Sequence, residues 1–176
     1  MEQFKRIKRE QAFKGRIIDF YNDTIVINNA KQVVFDFIEH KGASAMLPVA
    51  KDGKILMVHQ YRNAIDSYTL ELPAGGLNPG EDNLTCAIRE CKEETGYIPS
   101  NVKHLIDVHT TVAFSNELIK IYYSKDLTLS SQNLDVDEYV DVKSYPLDEL
   151  IKMIYSGAIT DAKTIAGLLA YKHKME

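Results

Sequence analysis

Five chain-breaking residues, Pro73, Gly75, Gly76, Pro79 and Gly80, fall within eight positions and lead directly into a segment whose apolar residues change period. Before this loop the chain reads as strands: KILMVHQY (54–61) as one arm of a hairpin, and SYTLEL (67–72) as a short strand halted by Pro73 and the glycines. After it, Leu84, Ala87, Ile88 and Cys91 recur at i, i+3, i+4 and i+7, the stripe of an amphipathic helix, which Gly96 and Pro99 stop. The fold must therefore place a strand, a glycine-rich loop and a helix in immediate succession. Glu90 and Glu94 lie one helical turn apart with Glu93 beside them, so three carboxylates crowd one side of a helix whose other side is apolar. Like charges at this spacing destabilise a helix by roughly a few tenths of a kcal/mol per pair. A cluster of oxygen ligands beside glycines that let the backbone approach closely is what a hard divalent cation or a phosphate requires. On the acids alone, a solvated acidic face after an ordinary glycine turn is the alternative.

The rest of the chain reads as strands first and helices last. Residues 15–29 and 31–40 are β-branched and aromatic, joined at Asn28-Asn29-Ala30. Residues 43–50 and 54–61, joined at Asp52-Gly53, predict a hairpin. Further strands are predicted over 104–114, 118–127 and 139–145. A helix follows over 146–157, with Pro146 at its start and Gly157 at its end, and a closing helix follows over 160–174 with Thr160 as N-cap. This is an α+β domain, with residues 1–41 as an N-terminal antiparallel β region and 42–176 as the main domain. A 176-residue chain with 45% hydrophobic and 26% charged residues buries a real core, which excludes disorder, collagen and coiled coil. A net charge of −4 argues against a nucleic-acid binder. Cys86 and Cys91, five apart on one helix, point in different directions and fit neither a disulfide nor a zinc spacing. They suit a reducing compartment, and with no apolar run behind the basic start and no membrane-length stretch, the expectation is a cytoplasmic protein without membrane contact.

The loop and helix together read Gly75, five residues, Glu81, seven residues, then Arg89-Glu90-Cys91-Lys92-Glu93-Glu94-Thr95-Gly96-Tyr97. This resembles the signature of the Nudix hydrolases, with Cys91 where an aliphatic residue is usual. The resemblance implies an α/β/α sandwich of the Nudix type and hydrolysis of a diphosphate linked to another group. It implies Glu90, Glu94 and the carbonyl of Ala74 as ligands of Mg²⁺ or Mn²⁺, with Glu93 on a second ion or a metal-bound water. Arg89 would orient a glutamate of the motif, and Gly75, Glu81 and Gly96 would hold the loop–helix junction. Gln60-Tyr61-Arg62, the stretch from Leu70 to Gly75, the turn at His40-Lys41-Gly42-Ala43 and the segment from Gly157 to Thr164 are similar to the ADP-ribose pyrophosphatase branch. That similarity implies a homodimer that hydrolyses ADP-ribose to AMP and ribose 5-phosphate. It makes Arg62, Thr111 and Glu117 substrate contacts, Glu138 a base or further metal ligand, and Glu117 a second catalytic candidate. The chain departs from the branch at Val112-Ala113, where Pro-Gly is usual, at Val136 within Asp135-Val136-Asp137-Glu138, and in lacking an arginine over 33–39. Those departures leave open another nucleoside diphosphate derivative, such as GDP-mannose or a dinucleoside polyphosphate, and a nucleotide-sensing module that does not hydrolyse.

Overall fold

The computed structural model describes residues 3–15, 18–134 and 139–175, and these fall into two compact units. The first unit runs through Gly42 and includes His109–Leu118. It contains an antiparallel meander of β1 (Phe4–Lys14), β2 (Asp19–Ile27) and β3 (Lys31–Glu39). Asn28 and Asn29 make the β2–β3 turn with φ of 51° and 58°, a conformation that asparagine tolerates better than other side-chain-bearing residues. Asp23, buried on the middle strand, accepts from Nε and Nη2 of Arg9 at 2.7 Å each. The Arg9 guanidinium lies 3.8 Å from the Phe37 ring centroid. β1 occupies a basic stretch whose periodicity does not mark a strand. The strand predicted over 104–114 ends at His109, and Phe114 instead accepts the Ile38 N–H at 2.7 Å.

The second unit, Ala43–Val108 with the chain from Ile119 onward, holds the core. β4 (Ala43–Pro48) runs parallel to β10 (Leu118–Ser124), flanked by β7 (Ala74–Gly76) and β9 (Lys103–His109). Alternation along these strands separates two faces. Ala45, Leu47, Ile121 and Tyr123 join the main cluster with α2 (Leu147–Tyr155) and α3 (Ala162–Met175), whereas Met46 and Tyr122 pack against Ala87 and Cys91 of α1 (Asn83–Thr95). Helices thus cover both faces of the sheet. A Cβ at Gly167 would lie 2.8 Å from Leu72 Cδ1 and 3.4 Å from Ile121 Cγ2, so glycine sets how closely α3 approaches. β5 (Ile55–Arg62) pairs with β6 (Ser67–Glu71) and β12 (Val140–Tyr145), and β8 (Tyr97–Ser100) pairs with β11 (Asp126–Leu129).

Three further sequence expectations change. The predicted hairpin of β4 and β5 is not a ladder: only Val49 bridges Ile55, and the strands enter different sheets because β4 is claimed by β7 and β10. The closing helix is capped by Asp161, whose Oδ2 accepts the Thr164 N–H at 3.0 Å, and not by Thr160. The buried stripe of α1 is rotated from the predicted one: Leu84 is exposed, while Cys86, Glu90 and Glu94 turn inward.

Candidate active site

The loop and α1 are joined by a cap and a cation. Asp82 accepts the N–H groups of Leu84 and Thr85, satisfying donors that the first turn leaves open, and Gly96 closes the helix at φ 75°. The three carboxylates do not share one solvated face. Glu90 is 9% and Glu94 3% exposed. Burying a carboxylate requires compensation, which Arg89 supplies to Glu90 and the Ala74 N–H contributes to Glu94. Arg89 Nε and Nη2 form a fork on Glu81 at 2.8 and 2.9 Å, and its Nη1 donates to Glu90 at 2.6 Å and to Glu93 at 2.9 Å. Nη2 also donates to the Gly76 carbonyl at 3.0 Å, tying the helix back to the loop. Held by that guanidinium and by the Asn78 N–H, the Glu81 carboxyl falls from 4.5 to about 2. Glu94 Oε2 accepts the Ala74 N–H at 2.8 Å. A Cβ at Gly75 would sit 2.1 Å from Glu90 Oε1, so a larger residue here would displace this carboxylate, which glycine lets lie directly against the loop.

Among the described residues no three His, Cys, Asp or Glu side chains converge closely enough to hold a metal ion. Glu90 and Glu93 are turned onto Arg89, and Glu94 accepts from Ala74. In chemistry the set still fits a hard divalent cation: carboxylate oxygens on one helix, with the missing Cβ of Gly75 bringing loop backbone against them. The buried Cys86 and Cys91 do not compete as soft ligands. Burial, with Glu90 adding to it, pushes the Cys86 thiol up to about 11, and burial pushes Cys91 up to about 12. Native protein at pH 8 is therefore expected to leave both thiols unmodified by a thiol-disulfide reagent, with two equivalents released on unfolding; fast native labelling would contradict their burial.

A second charged network was not marked by the sequence. Leu70 and Leu72 enter the core, so Glu71 between them faces the other way, buried at 2% exposure. It accepts from Arg62 Nε and Nη2 at 2.7 Å each, from Thr69 Oγ1, and from Nζ of Lys163 on the first turn of α3, which also bonds Asp161. The available signal was a lone charge between two leucines in a strand. Arg62, implied as a substrate contact, has two of its donors on Glu71. Burial alone would raise the Glu71 carboxyl, but Arg62 and Lys163 outweigh it and bring it from 4.5 to about 2. A depressed carboxylate contributes stability that is present above its unfolded pKa and lost as pH falls toward the folded one. Thermal stability should therefore decline between pH 4.5 and about 2, and Glu71→Gln should flatten that decline while lowering stability at pH 7. An unchanged acid limb in the variant would contradict the pairing.

Thr111 and Glu117 lie in the first unit. Glu117 Oε2 accepts from Thr110 Oγ1 at 2.5 Å, and its Oε1 stands 3.5 Å from His40 Nε2. His40 Nδ1 accepts the Gly42 N–H at 3.0 Å, which places the neutral ring's proton on Nε2, facing Glu117. Thr111 accepts the Ser115 N–H through its carbonyl. Ala74, Gly75, Glu81, Arg89, Glu90, Glu93 and Glu94 come together in the second unit, and Gly96, at the end of α1, bonds Lys92 and Ser130 instead. Glu138, with residues 135–137, lies outside the described residues.

Comparison with known proteins places this geometry. The chain is 35% identical over 162 residues to an ADP-ribose pyrophosphatase from Bacillus subtilis (strain 168), covering 91% of this chain and 88% of that one. It is 36% identical over 178 residues to a methanol dehydrogenase activator from Bacillus methanolicus, covering 97% and 96%. A solved structure described as an ADP compounds hydrolase superposes with a TM-score of 0.87 over 99% of this chain and 95% of that one, at 19% identity, which establishes the shared fold. A NUDIX domain model matches residues 39–168, well over half of the chain. The chain belongs to the Nudix family.

Proposed function

We propose that this protein is a divalent-metal-dependent pyrophosphohydrolase that cleaves ADP-ribose, or a closely related nucleoside diphosphate sugar, to a nucleoside monophosphate and a sugar phosphate. The observation that carries the reading is the knot of Glu81, Glu90 and Glu93 on Arg89 beside a loop backbone pressed against Glu90, in a chain similar over nearly its whole length to an ADP-ribose pyrophosphatase. Glu90, Glu94 and the Ala74 carbonyl would hold the ion, Mg²⁺ or Mn²⁺. When bound, such an ion neutralises diphosphate charge and acidifies water. Arg89 sets the directions of Glu90 and Glu93 before substrate arrives. Glu93, the most exposed of the carboxylates on Arg89, orients the attacking water and accepts its proton at a side-chain oxygen, with Glu117 and Glu138 as further candidates for that work.

Ranking kcat/KM over ADP-ribose, GDP-mannose and a dinucleoside polyphosphate with Mg²⁺ tests the reading. ADP-ribose first is the expected result. Preference for another diphosphate moves the specificity, and nucleotide binding without cleavage of any would overturn the hydrolase assignment.

The exposed Phe4, Phe13, Val34 and Phe35 on the first unit's sheet support a homodimer formed through that sheet. Sedimentation at twice 20.0 kDa is expected, and a monomer at micromolar concentration would contradict it. Unpaired, buried thiols support a cytoplasmic location, and among the described residues no helix is long and apolar enough to cross a membrane.

A further inference from the structure

Strand β5 presents two faces. Ile55 and Met57 belong to the main core, so Val58, Gln60 and Arg62 point to the opposite side of the sheet. Their partners on β6 share that side: Glu71 stands opposite Val58, Thr69 opposite Gln60 and Ser67 opposite Arg62. At this end the face is polar and largely self-satisfied. Thr69, Arg62 and Lys163 all converge on Glu71. One group is left over. Gln60 is 9% exposed, and its buried Nε2 has no hydrogen-bond partner. An unsatisfied buried donor costs about 1–3 kcal/mol, which a methionine or leucine of similar volume at this position would avoid. A polar group that destabilises the chain alone calls for an acceptor that arrives from outside it.

The location indicates which acceptor. Helix α1 packs against β5. The Arg62 guanidinium, on the same face of β5 as Gln60, is forked on Glu71, and the Glu94 carboxylate of α1 adds to the hold that keeps it protonated. The terminal torsion of a glutamine is broad and soft, so the carboxamide can turn to meet an acceptor that enters beside it.

We infer that Gln60 is a substrate-binding residue whose Nε2 amide donates to an oxygen of the bound nucleoside diphosphate sugar, on the face of β5 that also carries Arg62. The inference rests on the proposed activity and adds to it a contact on β5, outside the loop and helix.

The test compares wild type with Gln60→Met and Gln60→Leu, in three readouts. Both variants remove the orphan donor, so their thermal midpoints should equal or exceed that of wild type. KM for ADP-ribose should rise about ten-fold while kcat stays within about two-fold, the pattern of a lost binding contact. Calorimetric affinity for non-hydrolysable α,β-methylene-ADP-ribose should fall by the same factor in the presence of Mg²⁺. An equal loss with α,β-methylene-ADP would place the contact on the ADP part of the ligand, and a loss confined to the ribosylated analogue would place it on the terminal sugar; either supports the inference. Unchanged KM and affinity in both variants would overturn it, as would a fall in thermal midpoint with KM unaltered. Wild type that neither binds nor cleaves these compounds would instead overturn the activity itself, and this contact with it.

Discussion

Arg89→Ala is expected to lower the thermal midpoint by about 6–20 °C and to abolish turnover. The guanidinium makes two bonds to Glu81, one each to Glu90 and Glu93, and one to the Gly76 carbonyl. Glu81 and Glu90 side chains are only 9% and 12% exposed, so its removal strands two poorly solvated carboxylates next to a third. Breaking a buried pair by removing one partner costs about 3–5 kcal/mol, because the remaining charge is left uncompensated. In a chain of this size each kcal/mol moves the midpoint by about 2–4 °C. Arg89→Lys should recover part of the stability and little of the activity, since an ammonium cannot form the planar fork on Glu81 while also reaching Glu90 and Glu93. A midpoint shift under about 2 °C for the alanine variant would show that the knot is not what holds the loop to the helix.

Glu94→Gln should behave in the opposite way: a folded protein with turnover reduced by about 10³-fold, the scale on which loss of one preorganised electrostatic contact is felt. Glutamine keeps an oxygen that can accept the Ala74 N–H at the same position, so the loop stays anchored, while the charge a divalent cation needs is gone. Thermal unfolding with Mg²⁺ supplies an independent readout. Saturating ion should raise the wild-type midpoint, by an amount that corresponds to about 2.7 kcal/mol at one hundred times Kd, and should raise the variant's far less. Equal turnover in the two proteins would remove Glu94 from the metal face.

What the sequence disclosed and what it hid follow from the range of the interactions. The strand–loop–helix succession around Pro73, Gly75 and Gly96 was readable because breakers and periodicity act within a few residues, and the Asn28-Asn29 turn was readable for the same reason. The pairing of β4 was not. Whether Ala43–Pro48 turns back on β5 or runs parallel to β10, more than seventy residues later, is decided by packing of Met46 on α1 and Leu47 on the opposite cluster. Inward rotation of Glu90 and Glu94 was hidden likewise: periodicity places acids on the wet side of a helix unless a donor meets them indoors, as Arg89 does for Glu90 and the Ala74 N–H for Glu94. Lys163 and Glu71 lie 92 residues apart, beyond any local pattern. Gln60 gave no signal in the sequence beyond its place in Gln60-Tyr61-Arg62, because an orphan donor is defined only by what surrounds it.

The central claim is that the acids on α1 support metal-dependent cleavage of a diphosphate, and product analysis tests it most directly. Purified protein is incubated with ADP-ribose, with Mg²⁺ or with chelator, and the products are separated by anion exchange. Equimolar AMP and ribose 5-phosphate with Mg²⁺, and none with chelator, is the expected result. Intact ADP-ribose after many hours with Mg²⁺ or Mn²⁺, or cleavage at the same rate in chelator, would contradict it.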